Sequence, residues 1–209
     1  MIPGFPTNSP GPFELSGGAL CLDFANTWSN RGNPTTDHLG SYGDLLAFSR
    51  QAGALDRPLL ERLARVAETR SEEAVAALEE ARGIRESLFR ILSARAVSRP
   101  IEGSDLSRLD SALRDAHLHL RLVEAAPAFV WSWEDNQMSL RAPLWPISRS
   151  AAALMTSTDL ARVRECAGTS CTWLFLDRSR GRSRRWCSME SCGNRAKASR
   201  HYLRNRSGG

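Results

Sequence analysis

Four cysteines near the C-terminus constrain this chain more than any other feature. They form the pattern C-x4-C-x15-C-x4-C, two pairs of equal spacing. A Zn²⁺ ion accepts four thiolates in a tetrahedron at about 2.3 Å, and two short loops can each hold one pair. Thiolates would fill all four positions and leave none for a catalytic water, so the pattern predicts one structural zinc ion. The predicted ligands are Cys166, Cys171, Cys187 and Cys192.

The cellular compartment bears on the alternatives, which are two disulfides or unligated thiols. The chain has 209 residues, of which 42% are hydrophobic and 24% charged, as in an ordinary globular protein. No apolar run approaches the roughly 20 residues of a membrane span. The first twelve residues lack the basic and apolar segments of a secretory signal. We therefore predict a cytoplasmic protein without membrane association, and disulfides are disfavoured in that compartment.

Charge is distributed very unevenly along the chain. The formal net charge is +5, but residues 160–209 contain twelve basic and three acidic residues, a charge of +9, which leaves −4 for the rest. Four thiolates around Zn²⁺ would lower the charge of this segment by two. Such asymmetry indicates an acidic body that carries a basic interaction module. We divide the chain into a flexible proline-rich tail (1–12), a mostly helical domain (13–157) and a zinc finger (158–209).

Helical spacing dominates the acidic body. Apolar residues recur at intervals of three and four, which predicts helices over 42–54, over 59–67, from Ser71 to Pro100 and from Ser104 to Pro127. Ser71 and Ser104 are expected as N-caps. In the longest helix we expect the apolar residues to face inward and the charged residues to face solvent. The charged residues expected outside are Arg82, Arg85, Glu86 and Arg90.

Shorter elements complete the body. Residues 17–28 are apolar, with Asp23 and Asn26 embedded, and fit either a short strand or the first buried helix. Residues 129–133 alternate in polarity and residues 138–140 resume the alternation after a turn, which predicts a β-hairpin. Two short helices, over 146–156 and 158–164, would then lead to Cys166.

The basic module can be interpreted in the same way. Residues 172–176 predict a strand, residues 180–182 a turn and residues 184–186 a returning strand, so a hairpin is expected between the cysteine pairs. No residue from 193 to 206 would interrupt a helix. A knuckle, a hairpin and a helix that starts at the last ligand form a treble-clef-like order. The predicted fold class is therefore α+β, a mostly helical domain with a β-hairpin followed by a small treble-clef-like zinc finger.

Several motifs resemble known families. Residues 192–195, CGNR, match the tetrapeptide of the CGNR zinc finger, and RVREC (162–166), WLFLD (173–177) and SRRWCSM (183–189) look like the same family. LDFANT (22–27) and LWPI (144–147) resemble the helical ABATE domain that usually precedes this finger. The resemblance implies a bacterial stress-induced transcription regulator that binds DNA and holds zinc through its four cysteines.

Basic residues of the module are the predicted nucleic-acid contacts. One flank of the C-terminal helix and the predicted hairpin carry them, and the alternative is a solvated surface that balances the zinc thiolates. Asn194 and Arg195 lie off this flank, and they could brace the ligand loop instead. The predicted contacts are Arg178, Arg180, Arg182, Arg184, Arg185, Lys197, Arg200, His201 and Arg204.

DNA is the predicted partner, but two other functions stay open. The module could dock an acidic partner protein, or it could bind single-stranded RNA with Trp173, Trp186 or Tyr202 stacked on bases. The sequence lacks the signatures of phosphate-binding loops, serine hydrolases and zinc proteases, so an enzyme is not expected. A homodimer is a further expectation.

The polar residues within 17–28 require buried partners. They could line a pocket for a small-molecule effector, or they could form helix caps and turn hydrogen bonds. Cys21 is expected to be a buried small hydrophobe rather than a redox sensor. The residues of the predicted pocket are Asp23, Asn26, Trp28, Trp131 and Trp145.

Overall fold

The structure is a computed structural model that describes residues 12–134 and 138–199. Its elements confirm the predicted class, mostly helical with two small antiparallel sheets. The helices are α1 (Leu20–Ala25), α2 (Tyr42–Gln51), α3 (Arg57–Thr69), α4 (Ser71–Ala96), α5 (Gly103–Leu118) and α6 (Leu144–Met155). The strands are β1 (Leu120–Ala125), β2 (Ala128–Trp133), β3 (Val163–Glu165) and β4 (Leu174–Leu176).

Helix α4 lies at the centre of the fold because one of its faces is apolar along its whole length. Helices α1, α2, α3 and α5 pack against it, and so does strand β3. Its inner face includes the apolar residues that the spacing predicts. Arg85 was expected outside, and that prediction is wrong, because its side chain is 1% exposed and pairs with Asp37 at 2.6 Å.

The apolar segment over residues 17–28, for which a strand or a helix was expected, forms helix α1. Cys21, Leu22 and Phe24 of α1 point into the core. Helices α2 and α3 follow the predicted spacing, and α2 begins with a capping box formed by Ser41 and Asp44. The N-cap predictions for Ser71 and Ser104 are wrong, because both residues lie inside helices that begin at or before them.

A β-hairpin forms at residues 129–133 as predicted, but its partner strand precedes it in sequence instead of following it. Helix α5 ends at Leu118 instead of continuing to Pro127, and the following residues form β1, which pairs with β2 across a tight turn. Leu120 lies opposite Trp133, and Leu122 lies opposite Trp131. Met138 and Leu140 belong to no strand, and Leu140 is buried in the core. Pro127 therefore ends no helix but sits in the turn of the hairpin.

The second sheet also differs from its prediction. Strand β4 forms as expected, but it pairs with β3, which lies before the first cysteine pair, and residues 184–186 form no strand. The helix predicted over 158–164 is a 3-10 turn, Thr158–Arg162, that leads into β3. A π-helical turn, Met189–Gly193, carries the last ligand, and residues 194–199 continue as α-helix. The remainder of that predicted helix lies outside the described residues.

Candidate metal centre and basic surface

The four cysteines form one cluster. Their Sγ atoms all lie within 4.8 Å of one another, and the distances are 3.8 Å from Cys171 to Cys187 and 3.7 Å from Cys187 to Cys192. Four thiolates bound tetrahedrally to zinc would lie about 3.8 Å apart, given a Zn–S bond of about 2.3 Å. The donor set therefore fits one structural zinc ion, and the prediction of this cofactor is confirmed.

Strand pairing positions the first pair of ligands. Strand β3 ends immediately before Cys166, whose N–H donates to the carbonyl of Trp173 at 2.9 Å. The chain between these two residues forms the knuckle. Gly168 lies against the sulfurs, since a Cβ built there would approach the Sγ of Cys192 and the Cβ of Cys171 to 3.2 Å. A side chain at this position would therefore require Cys171 and Cys192 to shift by a few tenths of an ångström.

A helix start positions the second pair. Ser188 caps the π-helical turn by accepting a hydrogen bond from the N–H of Ser191, and Cys192 lies within that turn. The Cys187 N–H points to the Sγ of Cys166 at 3.4 Å, so the two pairs are also joined by a hydrogen bond. The guanidinium of Arg195 donates to the Sγ of Cys192 at 3.0 Å. Arg195 thus braces a ligand, in the way that residues around zinc sites commonly do.

The predicted nucleic-acid contacts separate into three groups. Arg200, His201 and Arg204 lie outside the described residues. Arg184 is half-buried, and its guanidinium lies over the ring of Phe175 and donates to carbonyls of Ser16, Leu176, Trp186 and Cys187. It holds the module together and has little capacity left for a phosphate. The exposed residues are Arg178, Arg180, Arg182, Arg185 and Lys197.

A buried aspartate shapes the loop that presents most of the exposed arginines. Asp177 accepts hydrogen bonds from the N–H and hydroxyl of Ser179 and from the N–H of Arg184. These bonds close the loop from 178 to 184, in which Arg178, Arg180 and Arg182 are exposed to solvent. Arg178 lies 3.8 Å from Asp159. Arg180, Arg182 and Arg185 form no ion pair with any acidic residue in the described ranges.

The structure does not bring the predicted pocket residues together. Asp23 and Asn26 lie beside the cysteine cluster, along one cavity. Trp28 is half-buried and its indole N–H donates to Asn33, while Trp131 is exposed on β2. Trp145 is fully buried and donates to Asp115. The three tryptophans therefore do not line that cavity.

Asn26 is the residue whose role the sequence did not reveal. Its amide accepts from the N–H of Leu174 at 2.8 Å and donates to the carbonyl of the same residue at 2.9 Å, so it pairs with β4 as a strand would. It joins the helical body to the zinc module at a fully buried position. Two backbone bonds flank it, from Thr172 to Ser29 and from Leu176 to Gly17.

Cys21 is separate from the metal cluster. Its side chain is completely buried, and burial raises the pKa of its thiol to about 12. A thiol in that state is a poor nucleophile, since the thiolate is the reactive form. Cys21 is therefore a packed core residue, as the sequence predicts.

The fold and site together define a zinc-finger protein, a helical body fused to a four-cysteine metal centre. The chain belongs to the ABATE family, whose model, described as "Putative stress-induced transcription regulator", matches residues 18–158. The CGNR zinc finger model matches residues 162–205. No curated protein matches the chain. The resemblance seen in the sequence motifs is thereby confirmed, and it suggests a zinc-binding regulator.

Proposed function

We propose that this protein is a non-enzymatic transcription regulator that binds DNA through the basic surface of its zinc finger. The observation that carries this proposal is the set of exposed arginines on the loop beside the zinc ligands. Arg180, Arg182 and Arg185 project from this loop and adjoining residues without an acidic partner among the described residues. Unpaired guanidinium groups on a rigid module are suited to bind phosphates.

The internal contacts of other basic residues show which arginines are left to bind DNA. Arg195 is occupied by the Cys192 thiolate and Arg184 by backbone carbonyls, so the basic charge available to a ligand lies on the surface residues. Phosphate contacts would give affinity and orientation, whereas the choice of sequence would depend on groups that reach the bases. Trp173 is buried, which counts against base stacking at that one of the three aromatic positions considered for RNA binding.

The test is DNA binding by the zinc-loaded chain, measured by fluorescence anisotropy across a salt series. We expect the triple variant Arg180→Ala/Arg182→Ala/Arg185→Ala to lose about three phosphate contacts and thus about 3 units of the slope of log affinity against log salt. Affinity at low salt should fall by at least about tenfold.

A charge-matched variant distinguishes a local contact from the effect of net charge. Arg57→Ala/Arg65→Ala/Arg114→Ala removes three exposed arginines from helices α3 and α5 of the body, and it should leave the slope nearly unchanged. If both variants behave alike, the loop is not the contact. If the wild-type chain binds no DNA, a protein partner that binds the same loop in a salt-sensitive way would favour the adaptor function. A preference for single-stranded RNA over duplex DNA would favour the RNA-binding function.

We further propose that the helical body mediates association, as a homodimer, through the β1–β2 hairpin. Leu122, Phe129 and Trp131 share one face of this two-stranded sheet and are each more than half exposed. Exposed apolar residues clustered in this way are typical of interaction surfaces.

Sedimentation equilibrium should give a dimer that Phe129→Ser weakens. The control Val75→Ser, at an exposed apolar position of α4, should have no effect. A monomer at all concentrations would exclude this homodimer.

A further inference from the structure

A cavity lies between helix α1 and the zinc ligands. Its volume is about 270 Å³, just below the roughly 300–1,000 Å³ of ligand pockets in general, so it can hold only a small molecule. Its walls include Phe13, Asp23, Trp173 and Arg195, together with Cys171 and Cys192. Because both parts of the chain contribute walls, the cavity exists only when the body and the zinc module are packed together.

The cavity wall carries more negative than positive charge. Asp23 accepts one hydrogen bond, from the Gly17 N–H to Oδ1 at 2.8 Å, and no arginine or lysine of the described residues lies within ion-pair distance of it. Burial raises the pKa of this carboxyl to about 7, so it is mostly ionised above that pH, and a neighbouring ammonium group would favour the ionised form further. The zinc-bound thiolates would add a net charge of minus two, and Arg195 offsets one of these charges through Cys192. A cation in the cavity would therefore be attracted.

A second observation concerns Trp173. Its side chain is only 8% exposed, and its indole Nε1–H has no hydrogen-bond partner among the described residues. Buried donors nearly always have a partner, so an acceptor oxygen on a molecule in the cavity would complete the hydrogen bonding of this one. Trp173 and Phe13 both line the cavity, and aromatic rings close to an ammonium group can stabilise it.

We propose that the cavity binds a small organic amine that also carries a carbonyl or carboxylate oxygen. The ammonium group pairs with the carboxylate of Asp23, and the oxygen accepts the hydrogen bond of the Trp173 indole. Such a molecule would give the Asp23 carboxylate a cationic partner and the Trp173 indole an acceptor at once. It would bridge the body and the zinc module and thereby link effector binding to the geometry of the finger. Binding here does not depend on DNA and can be measured without it.

The test uses the zinc-loaded full chain and a series of ω-amino amides of increasing length, from glycinamide to aminohexanamide. Isothermal titration calorimetry should give saturable binding for at least one member, with a Kd of about 1 mM or lower. The corresponding amides without the amino group should bind at least about tenfold more weakly, because they cannot pair with Asp23.

Two variants assign the binding to this cavity. Asp23→Asn keeps an oxygen for the Gly17 N–H and should weaken binding about tenfold or more, whereas the control Asp110→Asn, at an exposed position of α5, should not. Trp173→Phe should weaken the amino amides but not simple alkylamines, which lack the oxygen. Zinc content and thermal midpoints establish that each variant is folded. Absence of saturable binding by every amino amide, or equal binding by the Asp23→Asn variant, would overturn the proposal.

Discussion

Removal of the zinc ion should lower the thermal midpoint of the entire chain, and not only unfold its last segment. A structural zinc site contributes about 10 kcal/mol or more of binding free energy, which corresponds to a fall of more than about 10 °C for a chain of this size. The effect should spread because Val163, Leu174 and Leu176 of the zinc module belong to the same hydrophobic core as the helices. We expect one cooperative transition, at a lower temperature.

Calorimetry of the zinc-loaded and chelator-treated chain measures this effect. Cys171→Ser removes a ligand and should reproduce the chelated behaviour at any zinc concentration. Cys21→Ala is the matched control, since it removes a buried thiol that is not a ligand and should cost only about 1 kcal/mol. A helical body that keeps its original midpoint after chelation, with a separate low transition for the module, would contradict the prediction.

Asn26 offers an independent test of the same coupling. Asn26→Ala leaves the N–H and carbonyl of Leu174 without their partners, at a cost of about 2–4 kcal/mol. If the body holds the knuckle in place through this contact, zinc affinity measured by chelator competition should also fall about tenfold. Asn33→Ala, which removes only the cap of an exposed 3-10 turn, is the control. An unchanged zinc affinity in Asn26→Ala would show that the contact stabilises the body alone.

The metal centre was predictable because chelation requires close spacing in sequence. Each cysteine pair is separated by four residues, and the equal spacing of the pairs indicates one ligand set before any fold is known. Pairing between strands is set by contacts distant in sequence. Residues 184–186 resemble a return strand, but Arg184 turns inward to bind carbonyls and β4 pairs with β3 instead. The alternation of polar and apolar residues within one segment cannot show which strand β4 pairs with.

The boundary between α5 and β1 was missed for a related reason. Leu120 continues the apolar spacing of the helix, so a helical pattern predicts no break before Pro127. In the structure the residues after Leu118 are mostly exposed, and they pair with β2 instead of packing on the core. The strand is stabilised by its neighbour, which the spacing of one segment does not reveal.

Arg85 shows the limit of helical periodicity most clearly. The helical pattern places Arg85 on the charged face of α4. Its side chain is nevertheless buried against the loop before α2, where it contacts Asp37, 48 residues away in sequence. Two hydrogen bonds join the guanidinium to the Asp37 carboxylate, and a third joins it to Glu86. Glu86 in turn accepts from Arg31, which also donates to the hydroxyl of Thr172 in the knuckle. This buried network connects α4 to the zinc module.

Breaking this network should produce the second large effect. Arg85→Met fills the same space but leaves the Asp37 carboxylate without its partner, and removal of one member of a buried ion pair costs about 3–5 kcal/mol. Urea denaturation of the zinc-loaded chain measures the loss. Arg114→Met is the control, because its pair with Asp110 is exposed and such pairs contribute less than about 1 kcal/mol. Equal losses in the two variants would show that burial of Arg85 does not matter.

The pH dependence of stability provides a second signature of the same pair. Burial alone would raise the pKa of Asp37, but the hydrogen bonds from Arg85 and the Leu39 N–H, together with the charges of Arg85 and Arg82, outweigh it and hold that pKa below its ordinary value of 3.8. A carboxyl with a lowered pKa contributes stability above its unfolded value and loses that contribution as the pH falls through its folded value. The wild-type chain should therefore lose stability below about pH 4 through this group. Arg85→Met should lose the part of this component that Arg85 supplies, so the difference in unfolding free energy between the two chains should shrink as the pH falls. A difference that stays constant through this range would mean that the pair contributes no charge interaction, and that the cost of the substitution comes from packing alone.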